Sequence, residues 1–145
     1  DFIISDNEQL FGFCLSNKII EIEQAYQYLD MLLENEFPLG LIKSIAINPL
    51  VQNRGLGTIL LKHVTEFLSA KNKTVIYPAW IENNCDHFLY KVEQIGFQPI
   101  KIFPDFWKNE SIMEEYTCIR CGAPPCSCSM HLYKHRVEKI ISTPR

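Results

Sequence analysis

The chain has 145 residues, a length that suits one domain, allows a real core and leaves too little for two comfortable domains. Hydrophobic residues at 47% and charged residues at 21% exclude intrinsic disorder. A formal net charge of -3 gives no positive field for nucleic acid or an anionic membrane, and no apolar run nears the ~20 residues of a transmembrane helix.

Elements follow in chain order. Phe2-Ile3-Ile4 reads as a short strand, Asp6-Asn7-Glu8 as a turn and Leu10 to Leu15 as a second strand. Helical spacing of Ala25, Tyr28, Leu29, Leu32 and Leu33 predicts a helix from Ile22 to Leu33, ended by Pro38 and Gly40. Leu41 to Ile47 is a strand with its exit at Asn48-Pro49. Gly55 and Gly57 then precede a helix from about Thr58 to Leu68. Thr74 to Trp80 is a strand, and Asn83 or Asn84 caps a helix running to Gln94 and stopped by Gly96. Phe97 to Phe103 is a strand, 104–128 is irregular, and Ser129 to Val137 is the last strand. Strand, helix, strand, helix, strand implies a parallel crossover, hence a mixed sheet flanked by helices, α/β or α+β.

No leader and no initiator Met precede Asp1, so a fragment or trimmed product is expected. Nothing suggests secretion, and the cytoplasm is the expected compartment. Lys134, Arg136, Lys139 and Arg145 gather near the end and read as a solvated surface. Cys14 and Cys85 stand alone and read as small buried apolar residues.

The other four cysteines fall together as Cys118-Ile-Arg-Cys121-Gly-Ala-Pro-Pro-Cys126-Ser-Cys128. Four thiolates satisfy tetrahedral Zn²⁺ with no open position, so a structural zinc knuckle is expected. Gly122 permits a tight turn and Pro124-Pro125 stiffens the return. Cys-x-Cys is less usual for zinc than Cys-x-x-Cys, which leaves His131 or His135 as a substitute ligand. Unliganded thiols and local disulfides are the competing readings.

The glycine turn is the other informative segment. In Ile45-Ala46-Ile47-Asn48-Pro49-Leu50-Val51-Gln52-Asn53-Arg54-Gly55-Leu56-Gly57-Thr58 a strand passes through a loop into a helix, a place where backbone N–H groups can hold a phosphate. A plain glycine-rich connector is the bland alternative. A Walker loop fails because Gly57 is followed by Thr58 and Ile59, and a dinucleotide fingerprint fails at Leu60. Gln52-Asn53-Arg54-Gly55-Leu56-Gly57 matches the acetyl-CoA motif Gln/Arg-x-x-Gly-x-Gly/Ala. With the preceding strand, Asn83, Tyr90 and Gly96-Phe97, the chain resembles the GNAT-superfamily N-acetyltransferases over roughly residues 9–103.

The resemblance implies a single GNAT-like domain over 1–145, with a splayed mixed sheet and the cysteine segment 118–128 inserted before the last strand. It implies that the family's opening strand and helices are lacking. It implies that the backbone of Gln52, Asn53, Arg54, Gly55, Leu56, Gly57 and Thr58 cradles the CoA pyrophosphate, that Ile45, Ala46 and Ile47 pair with pantetheine, and that Asn83 lies near the cofactor arm. Tyr90 would protonate the departing thiolate as general acid, against the alternative of a core or rim tyrosine. Five residues separate Tyr90 from Gly96-Phe97, where many members have three. Glu82, Asp86 and His87 lie nearby, but no general base is assigned.

The function expected is acetyl-CoA-dependent acetylation of a primary amine. The rivals are a non-catalytic acyl-CoA-binding module and a zinc-stabilised interaction module. The expected partners are a small-molecule or peptide amine acceptor and a second copy in a homodimer, with no nucleic acid and no membrane.

Overall fold

The computed structural model describes residues 1–32, 34–81 and 86–136. Its strands are β1 (Phe2–Ser5), β2 (Leu10–Ile19), β3 (Leu39–Ile47), β4 (Thr74–Ile81), β5 (Gln98–Phe103) and β6 (Ser129–Arg136). Between them in the chain come α1 (Leu56–Ser69), α2 (Asp86–Ile95) and α3 (Lys108–Met113). The strands form one sheet in the order β1-β2-β3-β4-β6-β5, so a mixed sheet with intervening helices is the architecture, as the sequence leads one to expect. Two compact units divide the described residues: one of 1–75 with His135 and Arg136, and one of 76–134.

The first unit opens with the β1–β2 hairpin. Asp6 Oδ1 accepts from the N–H groups of Glu8 (2.9 Å) and Gln9 (2.7 Å), an Asx turn that reverses the chain. β2 then pairs antiparallel with β3 from Ile19↔Leu39 to Gly12↔Ile47. Leu15 faces Ser44 and Ser16 faces Ile42, so Lys43 is the extra residue of a bulge in β3.

Between β2 and β3 the expected helix from Ile22 to Leu33 is not formed. Short 3₁₀ turns at Ile22–Gln24, Gln27–Leu29 and Glu34–Glu36 take its place, with extended backbone at Glu21, Ala25 and Tyr26. Among the described residues of the periodic set only Leu29 and Leu32 are buried, Leu33 lying outside them, while the neighbouring Ile22 and Tyr26 are exposed. An amphipathic helix draws most of its stability from packing a whole face, and this segment has no such face to pack.

α1 does have one. Leu60, Leu61, Val64, Thr65 and Leu68 are buried at helical spacing, each leucine contributing about 1.5–3 kcal/mol by leaving water. Gly40 of β3 makes room for this face: a Cβ there would stand 2.9 Å from Leu68 Cβ. Phe2 meets His63 and Phe67 edge to face and ties β1 to the same helix.

In the second unit Tyr77 packs edge-on against Phe88 and Phe97, over a core that includes Ile76, Val92, Met130 and Leu132. Gly96, at φ 114, ends α2 in a Schellman arrangement. Phe97 N–H donates to Val92 O (3.3 Å) and Gly96 N–H to Glu93 O (3.0 Å), while Phe97 and Val92 are both buried. The N-cap expected at Asn83 or Asn84 lies outside the described residues. β5 and β6 pair antiparallel from Gln98↔Lys134 to Phe103↔Met130. The stretch expected to be irregular contains α3, too short for any periodicity to show in the sequence.

Candidate functional site

The glycine loop belongs to the first unit. β3 enters it half-submerged, with Leu39 to Ile42 buried and Lys43, Ser44 and Ala46 exposed. Ile45, Ala46 and Ile47 stand opposite Cys14, Phe13 and Gly12 of β2. Past the strand, Asn48 Oδ1 accepts from Leu50 N–H (3.0 Å) and caps a 3₁₀ turn over Pro49–Val51. Gln52 Nε2 donates to Ile47 O (2.9 Å) and folds the loop back on the strand end. The sequence singled out Gln52 for its main chain, and its side chain proves to hold the loop's shape. Asn48 was visible only as the Asn-Pro strand exit.

Two consecutive turns of the loop are left-handed, at Asn53 (φ 62) and Gly55 (φ 82). Asparagine and glycine are the residues that enter this region most readily. Gly55 is the N-cap of α1, no side chain caps the helix, and its first turn has no acidic residue. Gln52, Asn53, Arg54 and Gly55 are exposed, and Leu56, Gly57 and Thr58 are half-buried. The positive end of a 14-residue helix dipole therefore faces solvent beside an exposed loop. Such an arrangement can bind an anion through main-chain N–H groups.

Tyr90 belongs to the second unit, on α2, and is 64% exposed between the buried Leu89 and Val92. It is no core tyrosine. Asn83 and Glu82 lie outside the described residues, as does Cys85, and the side chains of Asp86 and His87 are likewise not described. Cys14 is buried as expected, and that burial pushes its thiol up to about 11.

The second unit brings the four clustered cysteines together. All four Sγ atoms lie within 4.8 Å of one another, with Cys118–Cys128 at 3.7 Å and Cys121–Cys128 at 3.5 Å. Neither His131 nor His135 belongs to the group. Gly122, at φ 78, closes a turn in which Cys118 and Gly122 exchange N–H···O bonds, both 2.9 Å. The first pair is exposed to donors and the second is buried. Arg120 N–H reaches Cys118 Sγ at 3.4 Å and Ser127 N–H reaches Cys121 Sγ at 3.3 Å. Backbone donors at Cys121 and Arg120 lower the Cys118 thiol, and the hydroxyl and N–H of Ser127 bring Cys121 down to about 6. Burial raises Cys126 and carries Cys128 up to about 12. A tetrahedral Zn²⁺ with Zn–S of about 2.3 Å sets its sulfurs about 3.8 Å apart, so this donor set fits that ion.

A family model described as FR47-like protein matches residues 22–107. No curated protein matches the sequence. Among solved structures the chain is similar to an acetyltransferase from Bacillus subtilis in complex with CoA. Identity is 17%, coverage 94% of this chain and 75% of that one, and the TM-score 0.65. A GNAT family acetyltransferase from Elizabethkingia anophelis with acetyl-CoA bound gives 22% identity, 91% and 72% coverage and a TM-score of 0.61. The ribosomal-protein-alanine N-acetyltransferase from Brucella melitensis gives 12% identity, 92% and 66% coverage and a TM-score of 0.60. Among the described residues no helix is long and apolar enough to cross a membrane. With more than half its length matched by that family model, the chain belongs to the FR47-like protein family, and its fold is that of the GNAT acetyltransferases.

Proposed function

We propose that the protein is an acetyl-CoA-dependent N-acetyltransferase acting on a primary amine, working in the cytoplasm. The observation that carries this reading is the loop from Gln52 to Thr58, held by Gln52 on the end of β3 and opening on an uncapped helix N-terminus. The CoA pyrophosphate is an anion of the kind such a terminus accepts. The outer end of β3, with Ala46 exposed and Ile45 and Ile47 half-buried, would offer main chain to the pantetheine arm. Asn83 is kept as a contact to that arm.

In the reaction the amine nitrogen bonds to the thioester carbonyl carbon and the C–S bond breaks. The sulfur takes a proton from the Tyr90 phenol, the proton lost by nitrogen passes to solvent, and the phenolate regains one from solvent. An exposed phenol on α2 suits this role, since a proton donor must reach a ligand. Backbone donors serve the developing oxyanion. The acceptor is a small-molecule or peptide amine, and the B. melitensis structure, named for a protein alanine, favours including N-terminal peptides among the candidates. A homodimer and a structural Zn²⁺ on Cys118, Cys121, Cys126 and Cys128, which would supply no catalytic water, complete the reading.

Two measurements test it. Acetyl-CoA at about 100 times its Kd raises stability by about 2.7 kcal/mol, and Gly57→Val, which crowds the loop, abolishes that rise while leaving the circular dichroism spectrum unchanged. Incubation with acetyl-CoA and a panel of amines and N-terminal peptides yields acetylated product by mass spectrometry. Binding without product from any amine would favour the non-catalytic module. Equal stabilisation of parent and Gly57→Val would refute the loop assignment.

A further inference from the structure

The segment that carries the four cysteines has almost nothing else to hold it. From Glu114 to Cys128, Cys126 and Cys128 are the only buried residues. No strand or helix runs through that stretch, and its large apolar side chain, Ile119, is 90% exposed. α3 before it has apolar packing only ahead of its first turn, where Trp107 meets Phe106 and Phe106 meets Phe103; Ile112 and Met113 are 51% and 79% exposed, and its single buried residue is the polar Ser111. Ordering each such residue costs about 1–2 kcal/mol of backbone entropy, which no hydrophobic core offsets here.

What α3 and the loop do share is bonds to the cysteine backbone. Cys126 N–H donates to Ser111 Oγ at 2.9 Å, and Ser111 Oγ donates in turn to Lys108 O at 2.8 Å. Phe106 N–H donates to Cys128 O at 3.1 Å, just before the helix begins. The third and fourth cysteines are thus both sulfur donors and the main-chain anchors of α3. Cys128 continues directly into β6 at Ser129, so the cluster is fixed at one end to the sheet. A disulfide would satisfy only one pair and needs sulfurs about 2.05 Å apart, whereas here four converge on one point. Beyond these few hydrogen bonds, the four sulfurs are what gathers the ends of this segment.

We propose that Zn²⁺ bound by Cys118, Cys121, Cys126 and Cys128 is the clamp that folds the segment from Phe106 to Cys128, α3 included, in place of a hydrophobic core. This rests on the reading of the four sulfurs as a zinc site. Binding and local folding are then one event: the ion orders the knuckle, the knuckle fixes Cys126 N–H and Cys128 O, and those fix α3. With four protein ligands the coordination shell is closed, so the ion supplies structure and activates no water. Each thiol that binds gives up its proton to solvent.

The experiment uses the full chain purified in reductant without chelator. Zinc content by plasma mass spectrometry is expected at about one equivalent, and hydrogen exchange is compared before and after stripping with a strong zinc chelator. The amides of Phe106, Ser111, Glu114, Cys118, Gly122 and Cys126, all hydrogen-bonded in the structure, should exchange at least about 100-fold faster in the stripped protein. Amides within α1 should be unchanged, and added Zn²⁺ should restore the protection. Cys118→Ser should reproduce the stripped pattern, and Ile119→Ser, at the exposed tip, should retain the zinc-loaded one. One equivalent of zinc with protection unchanged on stripping would overturn the clamp and leave the zinc site standing. Less than about a tenth of an equivalent, with four freely titrating thiols, would overturn both.

Discussion

Gly55 gives the sharpest test of the loop, because its two roles can be separated by substitution. Its backbone lies at φ 82 and ψ 1, and a Cβ built on it meets nothing within 4 Å. An alanine there collides with no protein atom, so its whole cost to the unliganded fold is the left-handed backbone, about 1 kcal/mol. For a chain of this size that lowers Tm by about 3–5 °C. The open space around the Cβ is also the approach that the pyrophosphate would use to reach the helix N-terminus. Losing one charge-assisted hydrogen bond there costs about 1.5–3 kcal/mol, or about 10- to 100-fold in affinity. Gly55→Asn tolerates the backbone better and still carries a side chain, so it should recover most of the Tm and none of the affinity. Titration calorimetry with CoA, alongside melting of the unliganded variants, reads both quantities. If both variants bind CoA within twofold of the parent, the pyrophosphate does not pass over Gly55 and the assignment of this loop fails.

Tyr90→Phe should lower kcat by about 10²- to 10⁴-fold with KM for acetyl-CoA little changed, measured with any amine that proves to be a substrate; an unchanged kcat would remove the phenol from the reaction. Gly40→Ala should lower Tm by several degrees, because its Cβ would stand 2.9 Å from Leu68 Cβ and overpacking costs about 1–3 kcal/mol; an unchanged Tm in a calorimetric scan would mean that α1 shifts freely over β3. Cys14, with its thiol raised to about 11 by burial, should resist iodoacetamide at pH 8 in the folded protein and react in urea. The folded state favours its neutral form, so the stability it contributes is full below pH 9 and is lost as pH rises towards 11, which an alkaline titration of unfolding would register.

The loop and its flanking elements were legible because three independent signals coincide there. A short apolar, isoleucine-rich run in β3 gives way to period-3.6 spacing in α1, and glycines punctuate the change. The sulfur cluster was legible for a different reason: cysteine spacing alone limits how four thiols can point. What escaped the sequence depends on partners far along the chain. Ser16, Asn17 and Lys18 carry no strand signal, yet they extend β2 because Ile42, Leu41 and Gly40 stand opposite them. The apolar residues from Ile22 to Leu32 have helical spacing, but without a surface to cover they settle into 3₁₀ turns. The bond from Cys126 to Ser111 spans fifteen positions, and no local pattern announces it.

The loop's geometry also argues that it is shaped for a ligand. Asn53 holds φ 62 at a cost that asparagine keeps below about 1 kcal/mol, on a loop shaped by the Gln52 Nε2 bond to Ile47 O. Leaving the first turn of α1 without a side-chain cap forgoes a further fraction of a kcal/mol. Both costs fall on the segment where a phosphate would sit, and an anion at the helix terminus offsets them. Saturation to 100 times Kd supplies about 2.7 kcal/mol, which exceeds them and corresponds to a rise in Tm of about 5–10 °C. Restoring ordinary loop chemistry should therefore reverse the balance. Arg54→Pro would drive Asn53, the residue before it, from φ 62 to ordinary extended backbone, so the loop conformation seen here could no longer form. A variant with unchanged or higher Tm alone, and little further rise with CoA, would show that the loop's conformation serves binding. A full ligand-induced rise in that variant would show that it does not.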